Sequence, residues 1–271
     1  MRVLVTGGSG RLGATVVEHL VAVGHTVFSA DLRSNPDLTC EQREVDLGDP
    51  EVSRALLAEI RPDSVIHLAG IAIPFSRPDY ETFRVNTLMC FSMLEACVAA
   101  GVARVLVSTS PTQIGYGAPG GWAPEYLPLD EAHPVAPWNA YSLSKEVMES
   151  TVKMFARANE GTIFHAFRPC FVLSPGEWDG APTQLGHTIR DRLNDPSLAS
   201  ISLFNYLDAR DGAAFVAAWL ERAESAPSGE VFFVGAEDAL AVEELASLLP
   251  RLVPATAESA HTLTGTAPAF S

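Results

Sequence analysis

The chain has 271 residues, 47% of them hydrophobic, and a formal net charge of −15. That length suits one large domain or two small ones with a sizeable core, and the composition is too apolar for disorder. The acidic balance repels a phosphate backbone, which excludes nucleic acid as a partner; no unbroken apolar run reaches the roughly 18 residues of a membrane span.

Residues 2–6 (RVLVT) read as a buried strand, with Met1 directly before it, so no leader peptide is expected. TGGSGRLG follows and places Gly7, Gly10 and Gly13 in a GxxGxxG turn, with Arg11 and Leu12 inside it. Residues 11–23 then read as a helix stopped by Gly24. A glycine turn between a first strand and a first helix lets the backbone approach a pyrophosphate, which the helix N-terminus attracts. The second strand, 25–31, ends on Asp31. A carboxylate there accepts ribose hydroxyls and repels a 2′-phosphate, favouring NAD over NADP. Arg33 is the one feature nearby that could favour the phosphate; it reads as a solvated loop charge. In VDLGD (45–49), Asp46 with Leu47 beside it could meet an adenine, or Asp46 or Asp49 could cap the next helix.

Further along, 50–60 read as helix, 64–70 as strand, 79–100 as a long helix stopped at Gly101, and 104–110 as a strand ending VSTS. Residues 115–137 form a Gly/Pro-rich loop, long enough to suggest a function. Helix 138–159 carries Tyr141 and Lys145, four apart on one face. The sequence has only two lysines, Lys145 and Lys153, so one placed here is notable. An ammonium beside a phenol stabilises the phenolate. Lowering a pKa of about 10 by about three units corresponds to roughly 4 kcal/mol. Tyr141 could then exchange a proton with a substrate hydroxyl, with Ser110 holding the oxygen; Ser108 and Thr109 are the alternatives to Ser110. Strand 162–169, a strand and helix within 202–221, and strand 230–235 complete the pattern. Residues 254–271 are polar and read as a surface tail.

Continuous apolar strands alternating with helices mean an α/β fold, a Rossmann-type doubly wound parallel sheet. The dinucleotide-binding domain is expected over 1–168 plus about 201–235, and a small C-terminal substrate-binding region over about 169–200 plus 236–271. Cys40, Cys90, Cys97 and Cys170 have no CxxC spacing and read as reduced thiols in a cytoplasmic protein, Cys90 and Cys97 as core. The seven histidines include no HxH or HExxH pair, so no metal site is expected.

TGGSGRLG, Asp31, VDLGD, HLAG (67–70), RVNTLMCFSMLEAC (84–97), STSPTQIGYG (108–117), YSLSK and FRPCFVLSP (167–175) together resemble the extended short-chain dehydrogenases/reductases, the NAD-dependent epimerases and dehydratases. The resemblance covers about residues 1–235. It implies Ser110, Tyr141 and Lys145 as the catalytic set. It further implies Leu68, Ala69, Gly70, Asn86, Ser108, Arg168 and Cys170 near the cofactor, and a homodimer made by the 79–100 and 138–159 helices. Several positions depart from the family. Pro111 and Thr112 stand where sugar-nucleotide dehydratases carry Asp-Glu, which disfavours dehydration. Phe171 and Phe204 stand where epimerases often carry the Asn and Arg that hold a diphosphate. Ala72 stands where the related uronate dehydrogenases carry a serine. The chain stops at PAFS, where relatives often continue with an LGW-type segment. Phe171, Phe204 and Trp178, with the loop around Trp122 and Tyr126, are the expected substrate pocket. The leading expectation is an NAD-dependent oxidoreductase acting on a secondary alcohol or ketone. An epimerase retaining NAD is the alternative, and a non-catalytic cofactor sensor comes third.

Overall fold

The computed structural model describes residues 1–271. In chain order it contains β1 (Arg2–Thr6), α1 (Arg11–Ala22), β2 (Thr26–Asp31), β3 (Glu41–Glu44), α2 (Pro50–Ile60), β4 (Ser64–His67), α3 (Asp79–Ala100), β5 (Arg104–Ser108), α4 (Ala140–Ala158) and β6 (Ile163–Pro169). Then come β7 (Val172–Leu173), α5 (Pro175–Trp178), α6 (Ile189–Asn194), α7 (Ser197–Ser200), β8 (Leu207–Asp208), α8 (Ala209–Arg222), β9 (Val231–Val234) and α9 (Leu245–Leu252).

Seven strands form one sheet in the order β3-β2-β1-β4-β5-β6-β9, every pairing parallel. Side chains alternate across a strand, so successive residues feed opposite faces. Leu4, Val65, Val105 and Phe164 pack one face against α2, α3 and α4 through Leu57, Met93, Leu94 and Val152. Val3, Val5, Ile66, Leu106 and Phe167 pack the other against α1 and α8 through Val16, Leu20, Val216 and Trp219. This two-sided burial is why the strands read as unbroken apolar runs.

A third cluster joins Ile114, Tyr116, Leu127 and Leu129 to Leu203, Phe204, Leu245, Leu248, Leu249, Leu263 and Phe270. This cluster joins the Gly/Pro loop to residues 199–204 and to the C-terminal segment. Helix α3 is the one helix long and apolar enough to cross a membrane, and 44% of its apolar window is buried.

One strand was not anticipated, and two local expectations change. The edge strand β3 (EQRE) carries no apolar signal, and only its pairing with β2 makes it a strand. Strand β4 stops at His67, releasing residues 68–70 into a loop at the sheet's carboxyl end. Residues 254–271 are not a surface tail. The Leu129 N–H donates to the Ala269 carbonyl at 2.7 Å, the Ser271 N–H donates to the Leu129 carbonyl at 2.8 Å, and Phe270 is buried. The phenyl ring of Phe270 makes edge contacts with Tyr116 and Phe233, so its removal leaves a cavity. Phe270→Ala is expected to cost about 3–5 kcal/mol in denaturant unfolding; a loss under about 1 kcal/mol would restore the surface-tail reading.

Candidate active site

The sheet order reverses between β1 and β4, where an open parallel sheet leaves a crevice outside its carboxyl ends. A cavity of about 590 Å³ lies there. Its floor is the glycine turn. Gly7 has φ 71°, and a Cβ on it would sit 2.7 Å from the Ala69 nitrogen; a Cβ on Gly13 would collide with the Gly7 carbonyl oxygen. Glycine at both positions keeps the turn flat against 68–70. The α1 N-terminus has no side-chain cap and no acidic residue in its first turn, so its N–H groups are free to meet an anion. Arg11 lines the cavity and is ion-paired with buried Glu177.

Asp31 closes β2 at the cavity wall. Its carboxylate accepts the Ser9 N–H at 3.0 Å and the Leu32 N–H at 2.7 Å, which fixes its orientation. Arg33 is absent from the wall. The two readings of VDLGD separate: Asp49 caps α2 by accepting the Glu51 N–H, whereas Asp46 accepts the Gly48 N–H and faces the cavity beside Leu47. A flat glycine cradle, a free helix N-terminus, an oriented carboxylate and an apolar wall fit a dinucleotide without a 2′-phosphate.

An Asn139–Ser142 capping box starts α4 and so sets its register. Tyr141 falls in the first turn and Lys145 one turn later, and both line the cavity. The Lys145 ammonium donates to the Ser108 carbonyl at 3.2 Å and lies 5.6 Å from the Tyr141 ring centroid. Ser110, just beyond the end of β5, shares a hydrogen bond with Thr112 at 3.0 Å. Ser108, Ser110, Tyr141 and Lys145 thus meet on one wall.

The charges differ from the expectation in one respect. Burial pushes the Tyr141 phenol above its ordinary value, and the Ser110 hydroxyl draws it back. The Lys145 ammonium is not among the groups that move it: it stands over the ring and bonds to the Ser108 carbonyl. Burial also pushes Lys145 down to about 8, while the Glu149 carboxylate draws it up.

Glu149, one turn past Lys145, is buried and accepts from Arg168 Nε at 2.8 Å and Nη2 at 2.9 Å. Thr109 and Gln113 donate to the same carboxylate. Arg168 therefore braces β6 against α4 and is not on the cavity wall. Asn86 is off the wall too. It accepts the Ile71 N–H at 2.8 Å and donates to Ser144 Oγ at 3.0 Å, tying the β4–α3 loop to α4. The resemblance implied both near the cofactor; here they stand behind the cavity wall, Asn86 against the loop after β4 and Arg168 against Glu149.

The cavity wall includes Gly7, Gly10, Arg11, Leu12, Gly13, Asp31, Asp46, Leu47, Leu68, Ala69, Gly70, Ser108, Cys170 and, at the substrate end, Ala72, Pro111, Thr112 and Phe171. Phe204 and Trp178 do not line it. Phe204, at φ 62°, turns into the third core cluster, and Trp178 packs on Tyr206. Trp122 and Tyr126 are also off the wall, with Trp122 bonded to the Ile114 carbonyl and Tyr126 to Asp130. Tyr116, Gln184, Leu185, Ile201 and Ser202 line the cavity without having been anticipated. Only Tyr116, within the IGYG stretch, stands in a recognisable motif.

Sheet order, cradle and the Ser-Tyr-Lys wall define a dinucleotide-dependent enzyme of the short-chain dehydrogenase/reductase type. The family model described as NAD dependent epimerase/dehydratase family matches residues 3–235, so the chain belongs to that family and its cofactor is NAD. It is 33% identical over 166 residues to a UDP-glucose 4-epimerase of Azospirillum brasilense, covering 56% of this chain and 44% of that protein. It is 32% identical over 180 residues to that of Bos taurus, covering 59% and 50%. The chain spans about half the length of these curated relatives. Among solved structures, a short-chain dehydrogenase/reductase superfamily protein from Agrobacterium tumefaciens with bound NAD matches with TM-score 0.71 and 25% identity, covering 93% of this chain and 81% of that one. A UDP-galactose 4-epimerase matches with TM-score 0.67 and 25% identity, covering 88% and 78%.

The buried ammonium of Lys145 costs stability wherever it is charged in both states, below about pH 8. Lys145→Met without cofactor should be more stable than the natural chain by up to about 3 kcal/mol at pH 7. That gap should close as pH rises from about 8 toward the unfolded value of 10.5, where the natural chain sheds the proton before the unfolded chain does. Urea unfolding at several pH values measures it, and a less stable variant would contradict the assignment. Glu149→Gln strands the Arg168 guanidinium and should lose about 3–5 kcal/mol by the same assay; a neutral outcome would mean that the pair does not brace the site.

Proposed function

We propose that this chain is an NAD-dependent epimerase acting at a secondary carbinol of a sugar derivative. The observation that carries the reading is the convergence of Tyr141, Ser110 and Lys145 on one cavity wall, in a chain whose curated relatives are named UDP-glucose 4-epimerase. Bound in the cradle, NAD supplies a hydride acceptor for the carbinol carbon, and its positive ring favours a neighbouring phenolate.

Every other task falls to the chain. Ser110 donates to the substrate oxygen and orients it. Tyr141 takes the hydroxyl proton and later returns it, and buried Lys145 keeps a positive charge beside the phenol throughout. A dehydratase would need an acid–base pair beside the substrate. The cavity's only carboxylates, Asp31 and Asp46, stand at its adenosine end, with Pro111 and Thr112 near the reacting carbon.

A net dehydrogenase is the second reading. Phe171, where epimerases often carry a diphosphate-holding Asn, favours it. Both readings use the same residues and differ in cofactor turnover. An epimerase purifies with NAD and interconverts UDP-glucose and UDP-galactose without net NADH; a dehydrogenase accumulates NADH with substrate.

A homodimer is proposed with either reading, because Leu88 and Phe91 on α3 and Leu143 and Met154 on α4 are exposed apolar groups that a second copy would cover. Sedimentation reads it directly, and a monomer at micromolar concentration would end that proposal.

Tyr141→Phe removes the proton-transfer group and leaves the packing. Turnover should drop at least ~10²-fold while NAD is retained. Unchanged turnover would exclude the mechanism.

A further inference from the structure

Arg192, on α6, is only 1% exposed. Its guanidinium lies over the Phe171 ring, 4.1 Å from the centroid, and its Nη2 donates to Ser202 Oγ at 3.3 Å. Its Nε and Nη1 are buried without any partner. A guanidinium has five N–H donors in a planar fork, so most of this one is unused. It belongs to none of the chain's ion pairs. Its acidic neighbours in sequence are engaged elsewhere, Asp191 with Thr188 and Asp195 with Ser197. Burial pulls its pKa down to about 10, with no carboxylate to raise it. A chain with 33 acidic residues has thus buried a cation without giving it one. A buried guanidinium left this way is costly unless something else pairs it.

Both groups that the guanidinium meets, Phe171 and Ser202, line the cavity, at the end away from the adenosine-binding carboxylates. Only Arg11 and Lys145 among the lining residues are basic. Arg11 is taken by Glu177 and Lys145 by the Ser108 carbonyl. Beyond Lys145 at the Ser-Tyr wall, the Phe171 end therefore has one further positive charge without an anionic partner, Arg192, directly behind its wall.

We propose that Arg192, with Ser202, anchors an oxyanion carried by the substrate, a carboxylate or a phosphate, at the Phe171 end of the cavity. A planar fork pairs an oxyanion bidentately, and the apolar surroundings strengthen the pairing. The anchor selects against neutral sugars, because they leave the guanidinium unpaired. It rests on the reading that this cavity takes the substrate, and it supplies a positive charge at an end where Phe171 offers only a phenyl ring to an anion.

Equilibrium titration of the NAD-loaded protein tests it without requiring turnover. The probes are UDP, galacturonate and, as the neutral control, galactose. At least one anion should bind at up to millimolar concentration. Arg192→Met should weaken it by on the order of 30-fold while leaving galactose unchanged, with Arg192→Gln as the substitute should the Met variant not fold. UDP alone binding identifies the phosphate source, and galacturonate alone the carboxylate; either supports the anchor. Tyr141→Phe should bind the anion as the natural chain does, so a failed mechanism and a failed anchor are told apart. Equal anion affinity in the Arg192 variant, or no anion binding by the natural chain, overturns the proposal.

Discussion

Lys145 holds a positive charge on a side chain that is itself almost fully buried, and a 3.2 Å hydrogen bond to the Ser108 carbonyl ties it to the end of β5. The rest of the site is arranged around that constraint. Helix α4 must start at Asn139 to bring the ammonium there, and one turn earlier the same register delivers Tyr141. One turn later it delivers Glu149, whose carboxylate is fully engaged by Arg168, Thr109 and Gln113. Burial holds Lys145 near 8 and lifts the phenol, so the chain by itself keeps Tyr141 neutral. In the proposed mechanism the charge that tips the phenol would come from bound NAD, which would couple proton transfer to cofactor occupancy.

The cavity has two chemically distinct ends. At one, the glycine cradle, the α1 N-terminus and Asp31 form a backbone-built pocket whose dimensions fail if a Cβ is added at Gly7 or Gly13. At the other, the wall is apolar, and its polar groups come from segments far apart in sequence: Thr112 after β5, Gln184 before α6 and Ser202 after α7. Backbone geometry shapes the first end; a few side chains from separate connecting segments shape the second.

The sequence made the first end readable and the second largely not. Strands buried on both faces announce themselves as apolar runs, the glycine turn sits where its strand and helix require it, and Tyr141 and Lys145 share a face by helical spacing alone. Strand β3 was illegible because EQRE is an edge whose strand character is supplied by β2. Burial of Phe270 was illegible because its partners, Tyr116 and Leu129, lie some way back along the chain. Phe204 misled because it was placed by motif position, whereas a left-handed backbone there turns the ring into the core. Arg192 gave no signal at all. Nothing local distinguishes a buried arginine from a solvated one, and only packing against Phe171 shows which it is.

The central claim is that Tyr141 ionises in the working site. Ultraviolet titration of tyrosine in the NAD-loaded protein, compared with its Tyr141→Phe variant, tests that claim most directly. The account predicts one tyrosine titrating well below the ordinary phenol value of about 10, missing from the variant. Identical curves, with every tyrosine titrating at or above that value, would contradict it.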